Sequence, residues 1–205
     1  MSIIDISHTL GNETPVYPGD IPLSLAKHRA FEADGHTSYL LKSGLHTGTH
    51  VDMPMHMTGD LRTCRDFPAQ CFAGRGVLLD ARGEEIISMK PFYRDAVTRD
   101  DIVLLYTGFD AKYGEEEYFT KHPAVSKELY DFLISRGIRM LGIDMPGPDF
   151  APFECHRALL SNGIFILENL CGLGAMLGKE SFEVFALPLK IQAEASFVRA
   201  VCTVA

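Results

Sequence analysis

Short apolar runs separated by polar breaks dominate the chain, and helical spacing is scarce. Runs rich in β-branched and large apolar residues cover 3–6, 39–45, 76–80, 102–107, 138–143, 164–167, 183–191 and 196–201, and most stop at Gly, Pro or Asp. Runs of this length between such breakers predict strands. Helical spacing is clearest over 126–136, where Leu129, Phe132 and Leu133 fall at i, i+3 and i+4 and Gly137 suits the position just past a helix end. A second short helix is expected within 169–178. The helix at 126–136 runs into the strand at 138–143, and the Asp100-Asp101 turn runs into the strand at 102–107, so a mixed α/β fold is expected rather than a sandwich. Pro15, Pro18 and Pro22 exclude regular helix or central strand from 11–22. That segment is expected to run extended over the surface or across a partner subunit, leaving Tyr17 free for contacts.

With 205 residues and neither repeats nor a Ser/Gly-rich linker, one domain spanning 1–205 is the simplest expectation. Lys plus Arg number 19 against 27 Asp plus Glu, a net charge of −8, which argues against nucleic acid as a partner. No stretch approaches the roughly 18 apolar residues of a membrane span, and the opening MSIIDISHTL lacks the basic and apolar regions of a secretory signal, so a cytoplasmic location is expected. Five Cys without a C-x-x-C pair support neither a disulfide framework nor a zinc knuckle.

Three of the eight His fall between His46 and His56, in the pattern H-x-x-x-H-x-D-x-x-x-H formed by His46, His50, Asp52 and His56. Imidazole nitrogen and carboxylate oxygen suit zinc, manganese or iron, and a catalytic site leaves a position open for water. Gly44, Gly48 and Pro54 break up the segment, which places these groups on a loop leaving the strand at 39–45. The bland alternative is a surface loop with idle His residues; the density and mix of ligand types weigh against it. Elsewhere, His156 follows Phe153-Glu154-Cys155 near an expected strand, and Glu168 ends the apolar run 164–167. On the residues alone, Glu168 is either a strand-end carboxylate facing water or a half-buried ligand, and His156 either a capping or core His or a ligand.

His46-Thr47-Gly48-Thr49-His50-Val51-Asp52-Met53-Pro54-Met55-His56 resembles the signature of the metal-dependent cyclase-like hydrolases, which include bacterial kynurenine formamidase and isatin hydrolase. Pro15-Val16-Tyr17-Pro18-Gly19-Asp20, Gly142-Ile143-Asp144 and Ile166-Leu167-Glu168-Asn169-Leu170 resemble family segments in the same order. The resemblance implies that His46, His50 and Asp52 hold one divalent ion, zinc or manganese, and that Asp52 bridges to a second held by His156 and Glu168. It implies that His56 is the proton donor and acceptor, and that Tyr17 takes the place of a substrate-stacking Trp, a residue type this chain lacks. It further implies an α/β fold around a barrel-like mixed sheet flanked by helices, of the swivelling β/β/α type, assembled as a homodimer or homotetramer.

A bound divalent ion polarises a carbonyl and acidifies water, so amide or ester hydrolysis is expected, and the resemblance implies that the bond is the C–N bond of a small amide, formamide or cyclic amide. The alternatives are lactone or ester hydrolysis, a dehydrating cyclase, or a metal- or ligand-binding protein without catalysis. Asp144, ending the strand at 138–143, is expected to orient a ligating imidazole, or else simply to end its strand. Phe150 and Phe153 are candidate walls of an apolar pocket. Cys155 beside His156 is disfavoured as a nucleophile, since consecutive strand residues point to opposite faces.

Overall fold

The computed structural model describes residues 2–204. The strands are β1 (Ser2–Asp5), β2 (Ser24–Arg29), β3 (Ser38–Lys42), β4 (His50–Asp52), β5 (Ala73–Asp80), β6 (Ile86–Ile87), β7 (Ile102–Tyr106), β8 (Ala124–Val125), β9 (Met140–Ile143), β10 (Phe165–Glu168), β11 (Phe182–Phe185), β12 (Ala195–Phe197) and β13 (Val201–Val204). The helices are α1 (Phe31–Asp34), α2 (Tyr93–Ala96), α3 (Glu117–Thr120), α4 (Lys127–Arg136) and α5 (Glu154–Ser161). Nine strands form one curled mixed sheet in the order β1-β13-β11-β5-β7-β9-β10-β4-β12. Its centre, β5-β7-β9-β10, is parallel. Both ends are antiparallel. The α/β class and barrel-like mixed sheet expected from the sequence are therefore the fold observed.

Both faces of the central strands are buried, which is why they read as unbroken apolar runs. Along β7, Val103 and Leu105 join the core under α4 and α5, while Ile102 and Leu104 join the core on the other face. Leu129 and Leu133 of α4 and Leu159 and Leu160 of α5 cover the first face. On the second face the packing leaves no room at Gly76 of β5, where an added Cβ would run into the Phe182 ring.

The helix expected at 126–136 forms because Ser126 caps it, its Oγ accepting from the Leu129 N–H at 3.3 Å. It ends because Gly137 takes the left-handed conformation at φ 66°. Other expectations are corrected. The run at 183–191 is a strand only over β11, with Pro188 just beyond. The run at 196–201 is two strands: β12 lies beside β4 at one edge of the sheet, and β13 lies between β1 and β11 near the other. Residues 169–178 hold only a 3-10 turn, Leu173–Met176, since Gly172, Gly174 and Gly178 disfavour a continued helix.

The segment around Cys155 and His156, placed near a strand, is instead the helix α5. Cys155, His156, Leu159 and Leu160 are its buried residues, a helical spacing, and Asp149 Oδ2 accepts from the Cys155 N–H at 2.7 Å in its first turn. The hairpin of β2 and β3 stands off the sheet, with Tyr39, Leu40 and Leu41 exposed. As expected, 11–22 contains neither helix nor strand.

Candidate metal centre

Three structural elements converge at the carboxyl end of β10. His50 and Asp52 are two residues apart on β4, so both side chains leave the same face. The three-residue strand corrects the loop expected for these ligands; only His46 lies on the preceding loop. Across the antiparallel pair, Glu168 of β10 sits opposite His50. His156, on α5, closes the group from above the sheet.

The result is two overlapping triads. His46, His50 and Asp52 offer ligand atoms within 4.8 Å of one another, and so do Asp52, His156 and Glu168. His46 Nδ1 lies 3.0 Å and His50 Nε2 3.4 Å from Asp52 Oδ1. His50 Nε2 lies 3.3 Å from Glu168 Oε2, and His156 Nε2 lies 3.0 Å from Glu168 Oε1. Yet His50 Nε2 and both Asp52 oxygens are buried without a hydrogen-bond partner. Buried polar atoms of native proteins are nearly always satisfied, so three orphans aimed at one point fit a divalent cation between them.

The electrostatics agree. Burial opposes charge on these imidazoles, but the Asp52 carboxylate pushes His46 up to about 11, and Asp52 and Glu168 push His50 up to about 9. Asp149 and Glu168 push His156 up to about 10. Burial likewise disfavours the charged form of Asp52, but His46 and His50 hold it well below the usual carboxylate range. The paired carboxylates demand positive charge at the centre, which protons or a metal ion can supply.

The outer nitrogen of each imidazole is held as well. His50 Nδ1 donates to the Gly48 carbonyl at 2.8 Å, so Nε2 is the nitrogen turned to the centre, where a metal ion would take the place of its proton. His156 Nδ1 bonds Asp149 Oδ1, and His46 Nε2 stands 3.5 Å from Glu194 Oε1. Asn169, at φ 54°, locks this frame: its Nδ2 donates to the Gly48 carbonyl at 3.1 Å, and Tyr118 Oη donates to its Oδ1 at 2.8 Å. Its own carbonyl accepts from Thr49 Oγ1 at 2.6 Å. The sequence reading missed Asp149, Asn169 and Glu194. Asn169 alone carried a local signal, as Asn tolerates the left-handed region after a strand.

Asp144, expected to orient an imidazole, does not. Its carboxylate accepts from the Thr107 N–H and Oγ1 and from the Gly108 N–H, tying the end of β9 to the turn after β7. Burial outweighs these bonds and pushes it up to about 6. Cys155, on a helix rather than a strand, packs into the apolar core, and burial pushes its thiol up, away from the reactive thiolate.

Beside the triads opens a cavity of about 240 Å³. His46, His56, His122 and Glu168 form its polar wall, with Tyr17, Phe119 and Phe153 on the apolar side. Tyr17 meets Phe119 edge-on at 5.8 Å. Phe150 lies outside this cavity, stacked behind His122. His56 Nε2 is 4.0 Å from Asp52 Oδ2, and burial pulls its pKa below the ordinary value, which leaves a neutral imidazole facing the cavity.

Comparison with known proteins follows the same outline. The Cyclase family model matches residues 4–150. The kynurenine formamidase of Bacillus cereus is 33% identical over 97% of this chain and 95% of its own length. A protein of Methanocaldococcus jannaschii without an assigned activity is 36% identical over 93% of this chain and 92% of its own. Isatin hydrolase A from Ralstonia solanacearum shares the fold, with a TM-score of 0.89 at 21% identity, covering 100% of this chain and 92% of that one.

Proposed function

Since the chain belongs to the Cyclase family, we propose that it is a metal-dependent hydrolase of a C–N bond in a small amide, formamide or cyclic amide. The observation that carries this reading is the pair of triads sharing Asp52, with three orphaned buried atoms, beside a cavity that His56 lines. His46, His50 and Asp52 would hold one divalent ion, and Asp52, His156 and Glu168 a second; the nitrogen and oxygen donors suit zinc, with manganese as the other candidate. A divalent ion there supplies a Lewis acid for the carbonyl and acidifies water.

The chain's own groups do the rest. His56, neutral at pH 7 and free of a locking hydrogen bond, takes a proton from water and returns it to the leaving nitrogen. Tyr17, Phe119 and Phe153 enclose the substrate's apolar part and keep bulk water from the reacting bond. A cavity of this size suits a small molecule. A homodimer or homotetramer is part of the proposal, supported by the exposed Tyr39, Leu40 and Leu41 of the β2–β3 hairpin. So is a cytoplasmic setting, which suits five cysteines that are all free. Among the described residues no helix is long and apolar enough to cross a membrane.

The test is turnover of an aryl formamide, a cyclic amide and a lactone after reconstitution with zinc or manganese. The His56→Ala protein is expected to keep its metal and lose roughly 10²- to 10⁴-fold in rate. Metal-loaded protein inactive on all three would remove the hydrolase reading, and wild-type rates in His56→Ala would remove the role of His56.

A further inference from the structure

The cavity holds a second imidazole that neither triad uses. His122, between α3 and β8, is 6% exposed, and its ring stacks on Phe150 with centroids 4.0 Å apart and planes 21° from parallel. Its Nδ1 lies 2.9 Å from the Pro123 carbonyl oxygen. A carbonyl only accepts, so Nδ1 carries the ring proton and Nε2 is left as a bare lone pair. Among the described residues no protein group donates to that nitrogen. Burial also keeps the ring neutral by pulling its pKa down. The charged groups it feels are Glu168, Asp149 and His156. All three line the same cavity, so the ring borders the site and not only the outer surface.

We propose that His122 Nε2 accepts a hydrogen bond from an N–H of the substrate, and so selects amides and lactams over esters and lactones of the same shape. This rests on the hydrolase reading above. Among the described residues Nε2 is not one of the buried atoms left without a partner, so water reaches it in the free protein, and a substrate N–H takes that water's place where an ester oxygen cannot. An ester oxygen at the same place sets lone pair against lone pair. Sites built to hydrogen-bond a substrate N–H reject the analogue that lacks it more strongly than apolar pockets reject a change of size. The stack on Phe150 fixes the ring plane, and the Pro123 carbonyl fixes the tautomer, so the acceptor is oriented before substrate arrives.

Acetanilide and phenyl acetate are the probes, since they differ only by N–H against O. Dissociation constants are read with metal-loaded His56→Ala protein, with and without His122→Phe, and kcat/KM with the wild type and His122→Phe. The phenyl ring keeps the stack and removes the acceptor. Acetanilide is expected to bind roughly tenfold tighter than phenyl acetate, and His122→Phe to abolish that ratio by weakening acetanilide alone. His122→Gln, which restores an acceptor oxygen, is expected to recover part of it. Equal loss for both probes, or a ratio unchanged in His122→Phe, overturns the proposal. Should His122→Phe fail to fold, nitrogen NMR of the His56→Ala protein decides: the Nε2 resonance of His122 shifts with acetanilide and not with phenyl acetate, and equal shifts overturn it. An N–H preference in a protein inactive on the aryl formamide, the cyclic amide and the lactone would sink the hydrolase reading alone; turnover of any of them without the preference would sink only the role of His122.

Discussion

Glu168 and His50 face each other directly across β10 and β4, with His50 Nε2 3.3 Å from Glu168 Oε2. The antiparallel register therefore builds the centre, because a slip of one residue would turn either side chain to the opposite face.

Glu168→Gln is expected to weaken metal binding by more than tenfold while leaving the sheet intact. Metal at 100 times its dissociation constant should stabilise the wild type by about 2.7 kcal/mol. Thermal melts with and without chelator check this, and an equal metal-dependent rise in the variant would count against Glu168 as a ligand.

Asp149 holds the outer nitrogen of His156 and accepts the Cys155 N–H at the start of α5. Asp149→Asn is expected to lower metal affinity by roughly 10- to 100-fold, measured by competition with a chromogenic chelator. An unchanged affinity would show that the His156 ring is positioned by packing alone.

Tyr118 is fully buried, and its hydroxyl satisfies Asn169 Oδ1. Tyr118→Phe leaves that acceptor unpaired and is expected to cost about 1–3 kcal/mol in denaturant unfolding. A neutral result would mean that water replaces the hydroxyl.

His8 and His122 are both pulled below the ordinary His value by burial. Such a ring protonates more readily in the unfolded chain, so the contribution of these two rings is full above pH 6.5 and is lost as the pH drops below it, opposite in sign to that of the raised imidazoles of the centre. His8→Phe keeps the stack on Tyr113, whose ring centroid is 3.6 Å away, and is expected to flatten that decline in urea titrations from pH 7 to 5. A decline as steep as in the wild type would exclude His8 as a contributor.

The central strands were legible in the sequence because burial on both faces leaves a continuous apolar record, as in β7 and β10. The chain of His46, His50, Asp52 and His56 was legible because all four lie within one short segment. What surrounds them was not. β4 is three residues long between Gly48 and Pro54, and it is a strand only because β10 and β12 pair with it. Glu194 meets its imidazole through the tertiary fold, and Asp149 meets His156 across the seven residues that lead into α5, with no motif to mark either. Asp144 looked well placed at a strand end, but its neighbours in space are the N–H groups of the Thr107 turn.

Thr49 and Asn169, bonded across a separation of 120 residues, bring the two halves of the centre together. An unfolded chain can offer an ion only the local group between His46 and Asp52, so the full donor set exists only after β4 and β10 have paired. Contacts of such long sequence separation form late and slowly. Metal should therefore act on kinetics unevenly, slowing unfolding strongly and leaving the folding rate nearly unchanged. In a cell the ion would then lengthen the lifetime of the finished protein without hastening its assembly.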